Sequence, residues 1–137
     1  MQVKRKLLGL TVLLAILSVA LGSGCSSIHW ERSYEAGLER AARQRRRALV
    51  QFYSAVDPDC LEMDRKVFSD PDVQDLMHNF IAIRLDSVLN RQLATYFNVQ
   101  TIPTFFIIRP DRQIAGSESG AMDAEKFRIF LIKYSYN

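Results

Sequence analysis

The chain has only two cysteines, Cys25 and Cys60, too few for the disulfide framework of a small secreted domain. Histidine is equally scarce, and no ligand spacing joins His29 and His78 to each other or to the soft sulfurs of Cys60 and Met63, so no metal site is expected. The six glycines never gather into a phosphate-cradling loop, and no Ser-His-Asp set or pair of catalytic carboxylates can be placed. No cofactor is implied. Only one apolar run is long, Leu7 to Leu21, and its 15 residues fall short of the roughly 20 that a spanning helix needs. Charge of one sign is missing too: of 18 basic residues against 15 acidic, the excess of three is Lys4, Arg5 and Lys6, so beyond them the signs balance. That balance gives no general case for nucleic-acid binding. With no internal repeat and no Pro- or Ser-rich linker, the chain reads as one domain.

The start of the chain, a basic Met1 to Lys6 followed by the apolar run, has the layout of a bacterial secretory signal. Leu21-Gly22-Ser23-Gly24-Cys25-Ser26-Ser27 resembles the lipobox of bacterial lipoproteins, although Gly22 stands where that pattern usually has an aliphatic residue. The resemblance implies that residues 1–24 are removed and that Cys25 is lipidated and anchors the chain to a membrane. Beyond the signal come a short tether over 25–30 and a domain over 31–137. Ser26 after the cysteine is compatible with outer-membrane sorting. The alternative is cleavage near Ser18-Val19-Ala20, giving a soluble periplasmic or secreted protein that keeps Cys25 as a free thiol. A chain starting at Cys25 has 113 residues, enough for one core.

Apolar periodicity predicts a helix from Tyr34 through Leu38, Ala41 and Ala42, capped by Ser33. It runs into the basic cluster Gln44-Arg45-Arg46-Arg47, read either as a solvated helix end or as a face toward anionic lipid headgroups. Ala48–Tyr53 reads as a central strand, and a helix follows from about Pro58 to Phe68, in which Leu61, Asp64 or Arg65, and Phe68 separate the faces less cleanly than in the first helix. Asp70-Pro71 restarts a helix carrying Val73, Leu76 and Met77 inward. A strand over Phe80–Asp86, a short helix over Asn90–Phe97 and a buried strand over Thr104–Ile108 come next. After the turn Pro110–Gln113, residues 113–117 should return antiparallel, before a last helix from about Asp123 to Tyr134. The order implies an α/β fold, parallel in its first part with an antiparallel end.

This order resembles the thioredoxin-like fold, and local sequences resemble the thioredoxin family at the expected places between Trp30 and Tyr134. Ala48 to Tyr53 followed by Ser54-Ala55-Val56-Asp57-Pro58-Asp59-Cys60 looks like the strand and loop that carry the family's Cys-x-x-Cys motif. Val67-Phe68-Ser69-Asp70-Pro71 is similar to the stretch just beyond that motif in thioredoxin-like proteins of bacterial envelopes. Tyr96 to Phe105 is similar to the "Tyr-x-Val-x-x-x-Pro-Thr" segment whose proline is cis, here Pro103. The resemblance implies a central mixed four-stranded sheet flanked by helices.

Departures from the family pattern bear on chemistry. Asp57 stands where the attacking cysteine would, and a carboxylate cannot attack a disulfide, so a one-chain dithiol cycle is unavailable. Asp57-Pro58 also has a purely structural explanation as N-cap and first helical residue. Gln51 replaces a buried aspartate that serves as proton acceptor, and Val56 replaces a tryptophan. Cys60 matches the second, resolving cysteine; with Asp57 and Asp59 close by, like charge should raise its pKa. Two readings of Cys60 stand, an inert core thiol or a monothiol that forms mixed disulfides. The first makes the protein a non-catalytic binding module of the cell envelope, holding an extended segment of a partner protein in the groove of Val56 to Cys60 and Thr101, Ile102, Pro103 and Thr104. The second makes it a redox protein acting through Cys60 alone, and a third class is a purely structural envelope lipoprotein.

Overall fold

The computed structural model describes residues 27–135; residues 1–24, expected to be a signal, and Cys25 lie outside them. The elements are α1 (Tyr34–Gln44), β1 (Arg47–Tyr53), α2 (Pro58–Lys66), α3 (Pro71–Met77), β2 (Phe80–Asp86), α4 (Arg91–Tyr96), β3 (Thr104–Ile108), β4 (Ile114–Ser119) and α5 (Ala124–Ser135). Three helix starts result from local chemistry. Ser33, Asp57 and Asp70 are extended N-caps whose side-chain oxygens accept backbone N–H groups of the first turn, and Pro58 and Pro71 occupy first-turn positions that need no donor. α1 ends on Arg45 in the left-handed conformation (φ 53°), its N–H returning to the carbonyls of Ala41 and Ala42.

The strands form one mixed sheet in the order β2-β1-β3-β4. β1 and β2 are parallel, from Arg47↔Phe80 to Tyr53↔Asp86, while β3 runs antiparallel to both β1 and β4. α2, α3 and α5 cover one face, packing Met63, Val73, Phe127 and Leu131 on Leu49, Phe105 and Ile107. α1 and α4 cover the other, where Leu38 and Ala41 meet Val50, Phe52 and Ile83. Fully burying one such side chain is worth about 1.5–3 kcal/mol. Among the described residues the buried apolar side chains all fall between Leu38 and Leu131 and form a core on both faces of the sheet.

The expected α/β thioredoxin-like architecture is therefore present, with three local differences. β4 spans Ile114–Ser119 rather than residues 113–117, because pairing with β3 continues to Thr104↔Ser119 and absorbs an irregularity at Ile107/Ile108. α2 stops at Lys66, and it turns Cys60 and Met63 inward while Leu61 is 43% exposed. Packing already begins at Ile28 and Trp30, both seated against the core, and Glu31 bridges to Ile83.

Candidate functional site

Strand direction brings the candidate residues together. The loops after the parallel strands β1 and β2, the segment before the antiparallel β3 and the end of β4 all meet at one end of the sheet. The Ser87 N–H donates to the Tyr53 carbonyl at 2.9 Å, and the Gly120 N–H donates to the Pro103 carbonyl at 2.8 Å. Phe52 pairs with Thr104, which sets the loop carrying Val56 to Cys60 beside the segment Thr101 to Pro103. The Ile102-Pro103 bond is cis, Pro103 and Thr104 are buried, and Ile102 is half-buried. The Thr104 hydroxyl donates to the Thr101 carbonyl and pins the approach to β3. Neither the N–H nor the carbonyl of Ile102 has a hydrogen-bond partner among the described residues. Val56 and Leu89, both 85% exposed, and Val88 give this end an apolar rim.

Asp57 and Cys60 are held as helix start and core residue. The Cys60 N–H donates to Asp57 Oδ1 at 2.9 Å, so the carboxylate is occupied as the cap of α2. Cys60 itself is 1% exposed. Burial pushes its thiol from the ordinary 9.0 up to about 11; a backbone hydrogen bond from Ser54 opposes this, and the Asp57 carboxylate, through its hydrogen bond and its charge, adds to the rise. The rise expected from like charge at Asp57 and Asp59 is present, but its causes differ: desolvation comes first, Asp57 adds to it, and exposed Asp59 does not contribute.

Two polar residues lie in register on the sheet below α2. Gln51 is fully buried, pairs with Arg84 across β1 and β2, and neither its amide nitrogen nor its oxygen has a partner among the described residues. Arg84 Nη2 reaches Asp64 Oδ1 at 2.8 Å and Oδ2 at 3.0 Å, and its guanidinium lies 4.0 Å from the centre of the Tyr53 ring. Its positive charge pulls the Cys60 pKa down, the smallest of the effects on that thiol. Sequence reasoning took Arg84 only as part of a strand; an arginine at an inward position of an otherwise apolar run was the available signal.

Of the remaining candidates, Pro58 and Asp59 are exposed in the first turn of α2, and Met63 is core. His29 and His78 line a cavity with Arg46 at the opposite end of the sheet, where β1 and β2 begin. Among the described residues no three His, Cys, Asp or Glu side chains could together hold a metal ion.

A thioredoxin-like family model matches residues 29–110. The chain belongs to the thioredoxin-like family. Among curated proteins, the thiol:disulfide interchange protein DsbD of Haemophilus influenzae (strain PittEE) is 32% identical over 90 residues, which are 61% of this chain and 16% of that protein. The chain thus spans only about a sixth of the length of these relatives. Of solved structures, a thioredoxin from Thermus thermophilus superposes with a TM-score of 0.71 at 26% identity, covering 78% of this chain and 86% of that one. The C-terminal domain of Neisseria meningitidis DsbD in the oxidised form gives 0.63 at 19% identity, covering 73% and 91%, and shows the shared fold. No helix among the described residues is long and apolar enough to cross a membrane.

Proposed function

We propose that this thioredoxin-like domain is a non-catalytic binding module of the bacterial cell envelope, held at a membrane by lipid on Cys25, that grips an extended segment of a partner protein. The observation that carries this reading is the backbone of Ile102, which has no hydrogen-bond partner among the described residues and stands directly before the buried Pro103, at the end of the sheet that carries the exposed Val56. An extended segment laid there would pair its own backbone with Ile102 as an added strand and place apolar side chains against the rim. The chemistry of the family's motif is blunted at both positions: Asp57 serves as a cap, and Cys60 keeps its proton. A photo-crosslinking residue in place of Val56, in cells that make the chain, tests the reading. Crosslinks to a partner should form, vanish with Ile102→Pro, which removes the N–H, and persist with Cys60→Ser. Thermal midpoints confirm that both variants fold.

A second reading is thiol-disulfide exchange through Cys60 alone, favoured by the curated relatives being thiol:disulfide interchange proteins. It predicts the reverse pattern, with crosslinks abolished by Cys60→Ser and spared by Ile102→Pro.

A further inference from the structure

The end of the sheet opposite Cys60 carries a concentration of positive charge that the groove does not use. Arg40, Arg43, Arg45, Arg46 and Arg47 come from the last turns of α1, the turn after it and the first residue of β1, and of these Arg40 is neutralised by Glu31 Oε1 at 2.6 Å, so the charge of this end rests on the residues that follow it. Arg46 spends its hydrogen bonds on neutral acceptors, the carbonyls of His78 and Phe80 (2.8 Å for the latter) and the Gln44 side chain at 3.0 Å. These contacts fix the guanidinium without cancelling its charge. Arg45 is exposed, and Arg43 has only Glu39, at 3.7 Å. Two cavities lie here, one lined by Ile28, His29 and Arg40, the other by Arg45 and Arg47, with Arg46 and His78 common to both. No carboxylate of the described residues lines either. The domain is balanced in charge as a whole, so this end is positive because of how the charges are placed; Asp57, Asp59 and Asp86 lie at the other.

The chain also enters the domain at this end. Ile28 and His29 line the first cavity, and Cys25 precedes Ile28 by three residues, which span about 10 Å at most. We propose that the arginine end is a docking surface for anionic phospholipid headgroups, seating the domain on a membrane with the Cys60 groove turned away from it. A basic patch beside an entry point suits this role, because each Lys or Arg near an anionic surface adds attraction. The length of β1 places the groove about 20 Å from the patch. This inference is independent of what the groove binds.

The test is co-sedimentation of residues 27–137, which hold every buried apolar side chain of the described residues and lack Cys25, with vesicles of phosphatidylcholine alone or mixed with phosphatidylglycerol. Binding should require phosphatidylglycerol, weaken with added salt and survive millimolar inorganic phosphate. Arg43→Glu/Arg45→Glu should weaken it at least about tenfold, in a protein whose thermal midpoint, lowered by the lost Glu39 pair, still lies well above the assay temperature. Arg91→Glu/Lys126→Glu, the same change of charge at the groove end, should leave it within about twofold. Equal binding to neutral vesicles, no binding at low salt, loss to inorganic phosphate, or equal effects of the two double variants would each overturn the proposal.

Discussion

Cys60 shows how much a single position depends on its surroundings. The thiol is buried, its helix begins at Asp57, and the two are joined through the Cys60 N–H at 2.9 Å. Because burial raises the folded thiol to about 11 from 9.0, the unfolded chain loses this proton first as pH rises. Between about pH 9 and 11 the unfolded state then binds fewer protons, so stability falls across that window and is unaffected by Cys60 below it. Denaturant titrations at several pH values should show this slope, and Cys60→Ala should remove it. Asp57→Asn keeps an acceptor for the cap but deletes the charge, so it should speed alkylation of Cys60 at fixed pH while costing little stability; Asp57→Ala should cost about 1 kcal/mol. Gln51 is the opposite case, a buried amide with no partner among the described residues, and an unmade hydrogen bond costs about 1–3 kcal/mol. Gln51→Met, similar in shape, should therefore raise stability by about 1 kcal/mol in urea unfolding.

Helices and strands meet closely where α1 crosses β2. Gly37 faces Ile83, and a Cβ on Gly37 would come within 2.4 Å of Ile83 Cδ1. Alanine in a helix interior normally gains up to about 1 kcal/mol over glycine, but overpacking costs about 1–3 kcal/mol. Gly37→Ala should accordingly lower the thermal midpoint, and Ile83→Val in the same chain should recover part of the loss, a coupling that a double-mutant cycle measures. The starts of the elements could be read from sequence because caps are local: Ser33, Asp57-Pro58 and Asp70-Pro71 each carry their signal within a few residues. The extent of β4 could not, since it is set by pairing with β3, which no residue of 113–119 announces. Arg84 was hidden for the same reason; its place beside Gln51, Asp64 and Tyr53 exists only once two strands and a helix are assembled.

As a whole, the molecule sets the groove end and the arginine end at opposite ends of one sheet. The scaffold is a thioredoxin-like domain whose motif lacks only its first thiol. Asp57→Cys would place two thiols one helical turn apart at the start of α2, so it should reduce insulin disulfides faster than the wild-type chain does. Failure of that variant while folded would show that Gln51 and the Arg84 environment, not Asp57 alone, silence the site. Whether Cys60 is silent in the native chain is tested most directly by alkylating residues 27–137, in which it is the sole thiol, across pH in native buffer and in denaturant. The account predicts a folded rate at pH 8 roughly a hundredfold or more below the denatured one, as a pKa of about 11 and burial require. A folded rate equal to or above the denatured one, with an apparent pKa below the free value of about 8.5, would contradict it and make Cys60 a working monothiol.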